Sequence, residues 1–366
     1  MSVTLQIPTQ NTEHLLSATP RRAARRGSRA GKTLSIGLVN NMPDGALEAT
    51  ERQFVSLLEA ASEGCEVQLT LYHLPGVPRG ESATARIKQR CLSTEALSHT
   101  RPDALIVTGR EPLSPRLQDE PYWGSFVRVL EWARINTSST VWSCLAAHAA
   151  VLHMHGVQRR RSAQKYCGIF ACDRLLSHPL NSGGPARFRM PHSRWNGLPE
   201  EDLTRNGYQI LSRAGDAGAD CFVKDEGSLF VFFQGHPEYE PETLLLEYRR
   251  DVGRYLRGES DAFPGLPRGY FDAATESEIE DIERNAAART HEETLQRVAA
   301  LRPDPESEWR PEAVRLYRNW LAYLWQQKTR GRETAVDGHH RLSPAQPLFE
   351  VQAGFEEPCR EWACTD

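Results

Sequence analysis

Val141-Trp142-Ser143-Cys144-Leu145-Ala146-Ala147-His148-Ala149 is the stretch that decides the fold. Ser139-Thr140-Val141-Trp142 reads as a short strand. From Leu145 to about His155 small and apolar residues continue, as in a helix laid against a sheet. Cys144 stands at the passage between the two. A side chain at such an elbow projects from the end of the sheet, and the first turn of the next helix leaves backbone N–H groups free. Those groups favour negative charge, which lowers the pKa of a thiol, and they can hold the oxyanion of a tetrahedral intermediate. Alone, the segment leaves two readings open: a nucleophile, or one of the buried cysteines that cores contain.

The same theme recurs on either side. Leu34-Ser35-Ile36-Gly37-Leu38-Val39 reads as a buried strand, residues 40–45 as a loop with Pro and Asp-Gly signals, and residues 46–61 as a helix with Phe54, Leu57 and Leu58 on one face. Residues 67–72 alternate like a strand, and residues 104–109 are an apolar strand ending at Gly109, followed by a helix over 122–135. Strands alternating with helices at these lengths predict an α/β fold, a mostly parallel sheet flanked by helices, with ligands at the carboxyl ends of the strands. Beyond residue 205 the pattern changes. Residues 208–211, 219–223 and 229–233 read as antiparallel strands parted by Gly-Asp and Glu-Gly turns, and a helix succeeds them over 241–256.

Phe232-Phe233-Gln234-Gly235-His236-Pro237-Glu238-Tyr239 closes the last of those strands. His236 therefore also falls at a strand's end, with Glu238 two residues on in a turn stiffened by proline. A carboxylate bonded to one imidazole nitrogen fixes the tautomer and raises the basicity of the other. Joined with the elbow cysteine, this gives a Cys144–His236–Glu238 triad.

Composition bounds the rest. The 366 residues are 39% hydrophobic and 25% charged, as in a globular protein. No run approaches the ~20 apolar residues of a membrane span, and no basic stub with an apolar core opens the sequence. The expected location is cytoplasmic, with no membrane partner. A net charge of −4 gives no pull toward nucleic acid. Arg21, Arg22, Arg25, Arg26, Arg29 and Lys32 crowd one short segment, read as a solvated tail or an anionic-partner site. The eight scattered cysteines read as reduced thiols rather than a disulfide framework, and the pairs Cys167/Cys172 and Cys359/Cys364 lack the second pair a zinc site needs, so no metal is expected. The chain is expected to divide into four parts: a mobile basic segment over 1–32, the α/β domain over 33–272, two helices over 273–328 split at Arg302-Pro303-Asp304-Pro305, and a disordered tail over 329–366.

These residues resemble the class I glutamine amidotransferase fold and, more particularly, the homoserine O-succinyltransferase family. The matching pieces are residues 37–43 with Thr50-Glu51-Arg52-Gln53-Phe54, residues 102–109, Tyr122-Trp123, Pro191-His192-Ser193-Arg194, residues 235–239 with Glu247-Tyr248-Arg249-Arg250-Asp251, and Asn319-Trp320-Leu321-Ala322-Tyr323. They span about 34–328 in order. The resemblance implies that Cys144 takes an acyl group from acyl-CoA as a thioester, and that His236, oriented by Glu238, deprotonates the hydroxyl of L-homoserine. It assigns substrate binding to Lys165, Ser193 and Arg250. Glu247, three residues before Arg250 on one helix, can share its pocket. From sequence alone, Arg250 reads rather as a surface charge on a helix already rich in them, and only the resemblance reverses that. The resemblance also implies a homodimer, methionine biosynthesis, and no cofactor beyond acyl-CoA as co-substrate.

The sequence departs from the family in places. Cys144-Leu145-Ala146-Ala147-His148-Ala149 stands where the family reads Cys-Trp-Gly-Ala-Gln-Ala, and Met42-Pro43-Asp44-Gly45 lacks the family's lysine. A gapless alignment from Thr108-Gly109 to Tyr122-Trp123 places Leu113 at the position that tunes acyl-donor choice. The alternatives are therefore an acetyl-transferring enzyme using acetyl-CoA and, more distantly, a glutamine amidotransferase-like amidase.

Overall fold

The computed structural model describes residues 3–7, 32–286, 288–303 and 309–337. The arginines at 21, 22, 25, 26 and 29, the cysteines at 359 and 364, and the tail beyond 337 lie outside the described residues.

The strands are β1 (Val3–Gln6), β2 (Lys32–Val39), β3 (Cys65–His73), β4 (Leu92–Ser93), β5 (Ala104–Thr108), β6 (Ser139–Ser143), β7 (Arg160–Arg174), β8 (Arg187–Gly197), β9 (Gln209–Arg213), β10 (Ala219–Asp225) and β11 (Leu229–Phe233). The helices are α1 (Leu47–Ala61), α2 (Glu81–Arg90), α3 (Leu97–Thr100), α4 (Trp123–Asn136), α5 (Leu145–His155), α6 (Glu200–Arg205), α7 (Thr243–Leu256), α8 (Ala273–Asn285), α9 (His291–Ala300) and α10 (Arg310–Asp337). The strands form one sheet in the order β1-β3-β2-β5-β6-β11-β10-β9-β7-β8, with β4 also on β3. From β1 to β11 every neighbouring pair is parallel; from β11 to β8 every pair is antiparallel.

Alternation along the central strands builds two cores. Ala104, Ile106, Val141, Val231 and Phe233 face one side, toward Phe54 of α1 and Tyr317 and Trp320 of α10. Leu105, Val107, Trp142, Phe230 and Phe232 face the other, toward α4 and α5. Trp142 meets Phe126 and Phe230 edge to face at 5.5 and 5.3 Å, a favoured aromatic geometry. The Trp320 indole N–H donates to Ser139 Oγ at 2.9 Å and Lys328 Nζ to Asp103 at 2.5 Å, so α10 is tied to the sheet at two points.

Strand register positions the chemistry. Thr108 pairs with Ser143, and Ser143 with Phe233. The ends of β5, β6 and β11 therefore lie side by side, and Gly109, Cys144 and Gln234 leave the sheet together.

Some elements differ from the expectation. Val3–Gln6 is a strand beside β3, too short for its alternation to register. The region after 273 holds three helices, not two, and α10 runs past 328 to Asp337. The long β7–β8 hairpin is not anticipated either: the buried run 167–170 of β7 is flanked by charged, exposed residues, and β8 is mostly polar. Trp142→Ala removes a side chain with 0% exposure and is expected to cost about 3–5 kcal/mol. Ile135→Ala, at a side chain 68% exposed, should stay within about 0.5 kcal/mol. Urea unfolding midpoints of the two variants test the assignment.

Candidate active site

Cys144 is one of two described residues other than glycine with positive φ, at φ 52° and ψ −113°. Such a conformation costs energy and persists only where the surroundings enforce it. Here its N–H donates to Phe233 O at 2.7 Å, while its carbonyl accepts from Ala147 and His148 at 3.0 and 3.3 Å. The strand therefore holds one side of the elbow and the helix the other. Gly109 closes it from β5, since a Cβ there would stand 2.5 Å from Leu145 Cβ and 2.7 Å from the Ala146 nitrogen. The N–H groups of Leu145 and Ala146, at the start of α5, have no preceding helical turn to bond to.

His236 Nδ1 lies 2.8 Å from Glu238 Oε1, which leaves Nε2 free for Cys144, whose charge also acts on the imidazole. The backbone N–H of His236 donates to Pro191 O at 2.8 Å, and Tyr239 stacks on the imidazole at 4.2 Å and 18°. His236 and Glu238 are 6% and 4% exposed. Burial pushes the imidazole toward neutrality, but Glu238 and Cys144 outweigh it and hold the pKa well above that of a free histidine. The three side chains assigned to chemistry thus meet in one place.

Behind the base loop lies a second layer. Gly235 packs where a Cβ would be 2.5 Å from Asp220 Oδ1. Asp220 accepts from Ser212 Oγ at 2.7 Å, and its other oxygen lies 3.2 Å from His192 Nε2 without making a hydrogen bond. Cys172 completes a buried group whose potential ligand atoms lie within 4.8 Å of one another, the one His/Cys/Asp/Glu cluster among the described residues compact enough to hold a metal. His148 of α5 reaches Gln234 Oε1 at 2.9 Å. That oxygen also accepts from the Leu198 N–H at 3.1 Å, so His148 Nε2 is the donor. Burial drives its pKa down to about 3. His148 is thus a neutral link between the cysteine's helix and the base loop.

The residues assigned to substrate form one network against this centre. Ser193, on β8 opposite Cys167 of β7, donates to Glu247 Oε2, and Tyr239 Oη donates to Glu247 Oε1 at 2.5 Å. Lys165 Nζ lies 2.9 Å from Asp251 Oδ2 and 3.9 Å from Glu247 Oε2. The half-exposed Arg250 pairs with Asp251 at 2.8 Å rather than with Glu247. Burial would raise the Asp251 pKa, yet Lys165 and Arg250 hold it below the ordinary value. Tyr239 and Asp251, in the quoted motifs, carry no sequence signal of their own; their roles appear only once β7, β8 and α7 converge.

Leu113 is 61% exposed, and its N–H donates to the buried Glu120 carboxylate at 2.6 Å, as does that of Ser114 at 2.7 Å. It does not line the small cleft beside the elbow, which is bounded by Gly109, Tyr122, Leu145 and Ala146 among others.

A family model described as homoserine O-succinyltransferase matches residues 5–331. A homoserine O-succinyltransferase of Rhodopseudomonas palustris is 45% identical over 81% of this chain and 90% of its own length. That of Methylorubrum extorquens is 44% identical over 80% and 88%. Among solved structures, a glutamine amidotransferase from Methylobacillus flagellatus aligns over 80% of this chain and 96% of its own, with a TM-score of 0.46 at 14% identity.

The raised pKa of His236 has a consequence for stability. The folded imidazole holds its proton more tightly than the unfolded one, so this pairing stabilises the fold fully below about pH 6.5, and the contribution fades as pH rises through the folded value. In Glu238→Gln and Cys144→Ala, each lacking one anion, the His236 imidazole should titrate at lower pH than in the wild type. Carbon-edited NMR of the ring protons reads this directly.

Proposed function

Because this chain belongs to the homoserine O-succinyltransferase family, we propose that it transfers a succinyl group from succinyl-CoA to the hydroxyl of L-homoserine through a thioester on Cys144. The observation that carries the mechanism is the grouping of Cys144, His236 and Glu238 at the joined ends of β6 and β11, with Glu238 bonded to His236 and the Cys144 charge acting on the same imidazole.

That geometry dictates the steps. The Cys144 sulfur attacks the thioester carbonyl, and the tetrahedral oxyanion lies against the N–H groups at the start of α5. The C–S bond to CoA breaks, and the departing thiolate takes the proton held on His236. Acylation also removes the sulfur's negative charge, one of the two that hold the His236 proton. The imidazole is thereby neutral when the acceptor arrives. His236 then takes the proton of the homoserine hydroxyl, whose oxygen attacks the acyl carbon, and Cys144 leaves with its electron pair. Glu238 keeps Nδ1 protonated throughout. Two half-reactions through one acyl-enzyme predict ping-pong kinetics.

The polar network places the acceptor. Glu247, held by two hydroxyl donors, presents a carboxylate to the α-ammonium of homoserine. Arg250 and Lys165 face its α-carboxylate, where a guanidinium offers two parallel donors. No cofactor enters these steps. No helix among the described residues is long and apolar enough to cross a membrane, and the six described cysteines are free. A cytoplasmic enzyme with reduced thiols, working as a homodimer in methionine biosynthesis, fits these features.

Intact-protein mass spectrometry after mixing with succinyl-CoA, without homoserine, should show one succinyl increment on the wild type and none on Cys144→Ala. Turnover of that variant should fall on the order of 10³-fold or more. An acetyl increment from acetyl-CoA but none from succinyl-CoA would reassign the donor, and an adduct that survives Cys144→Ala would remove the mechanism.

A further inference from the structure

Tyr239 touches both the base and the carboxylate assigned to the acceptor. Its ring lies on the His236 imidazole, with centroids 4.2 Å apart and planes at 18°. Its hydroxyl, at the far end of the same ring, donates to Glu247 Oε1 at 2.5 Å. A phenol is rigid, so these two contacts together set the separation and angle between imidazole and carboxylate.

The tyrosine is itself held on every side. Its N–H donates to His236 O at 3.2 Å, closing the turn through Pro237. Its carbonyl accepts from the indole N–H of Trp309 at 3.1 Å, a buried side chain immediately before α10. The next residue, Glu240, donates its N–H to Thr243 Oγ1 at 3.1 Å, and Gln53 of α1 donates to the same oxygen at 2.8 Å. Thr243 opens α7, and Glu247 lies one helical turn further along it. The base loop and the start of α7 are therefore fixed to one another.

The ring is 5% exposed. Burial, and then the Glu247 charge, push the phenol well above its ordinary pKa, so the hydroxyl keeps its proton and remains a donor. Ser193 holds the other oxygen, Oε2, from β8. With one donor on each oxygen, the carboxylate is pinned against rotation, and a bond from a neutral donor to a charged acceptor is a strong one.

Such a link has a use in the transfer step. Homoserine carries its ammonium and its hydroxyl on carbons two apart in a flexible chain. Holding the ammonium alone lets the hydroxyl swing, and a small misplacement of a reacting atom is costly in rate. An anchor at a set distance from the imidazole removes that freedom.

We propose that Tyr239 is a positioning residue for acyl transfer: it fixes Glu247 relative to the His236 imidazole, so that an acceptor anchored by its ammonium at the first presents its hydroxyl to the second. The inference deepens the reading of Glu247 as the partner of the α-ammonium and rests on it. The hydroxyl of Tyr239 acts in the second half-reaction, because Glu247 takes no part in the acylation of Cys144.

The test uses full-length wild type, Tyr239→Phe, Glu247→Ala and the double variant, with initial rates of CoA release at varied succinyl-CoA and homoserine. In ping-pong kinetics, kcat/KM for each substrate reports its own half-reaction. Tyr239→Phe keeps the ring and loses the hydroxyl. Its kcat/KM for homoserine should fall on the order of tenfold relative to its kcat/KM for succinyl-CoA. Both constants come from one preparation, so a loss of folded protein lowers them together and leaves their ratio alone. Added to Glu247→Ala, Tyr239→Phe should cost little further, because the hydroxyl acts through that carboxylate. A ratio that does not move in Tyr239→Phe, or a second loss of equal size in the double variant, overturns the proposal. A Glu247→Ala enzyme with the wild-type ratio overturns it at a different point, by removing Glu247 from acceptor binding.

Discussion

The structure depends on one constraint, the parallel register that sets Thr108, Ser143 and Phe233 side by side. Cys144 and His236 are far apart in sequence, yet each comes within a few positions of the last residue of its strand. Two hydrogen-bonded strands lie about 4.8 Å apart, so residues leaving their common edge fall within reach of one another. The Cys144 N–H closes the joint by donating to Phe233 O. A slip of one residue between β6 and β11 would turn Trp142 and Phe232 out of one core and Val141 and Val231 out of the other. Packing on both faces of the sheet thus fixes the catalytic distance.

The same frame sets the electrostatics. His236 is buried, which disfavours its charge, but it stands between Glu238 and Cys144, which favour it. One group can then serve as acid while the sulfur is free and as base once the sulfur is acylated. Burial of Gly235 against Asp220 and the neutral bridge from His148 to Gln234 keep the base loop in place without adding charge. On α5, His148 reaches the base loop through its bond to Gln234.

Much of the fold is legible in the sequence because its signals are local. The strand-to-helix passage at Cys144, the apolar run before His236 and the alternation of strands and helices each come from short-range periodicity, and α1, α4, α5 and α7 begin and end within a residue or two of their expected limits. What is not legible depends on contacts across the chain. The β7–β8 hairpin carries Lys165 and Ser193 at polar positions beside the buried run 167–170, so the sequence names these residues only through family resemblance. The partners of Glu247 and the pairing of Arg250 with Asp251 arise from contacts between segments distant in the chain. Leu113 comes from counting positions in a loop, and counting cannot tell an exposed side chain from one that lines a cleft.

The central claim is that Cys144 and His236 act as one unit. The most direct measurement is the rate at which iodoacetamide alkylates Cys144, resolved by peptide mass, across about pH 5 to 9 in wild type and His236→Ala. The account predicts that the two profiles differ, because the variant lacks the imidazole that the sulfur faces. Superimposable profiles would contradict it, because they would mean that the sulfur does not sense the imidazole.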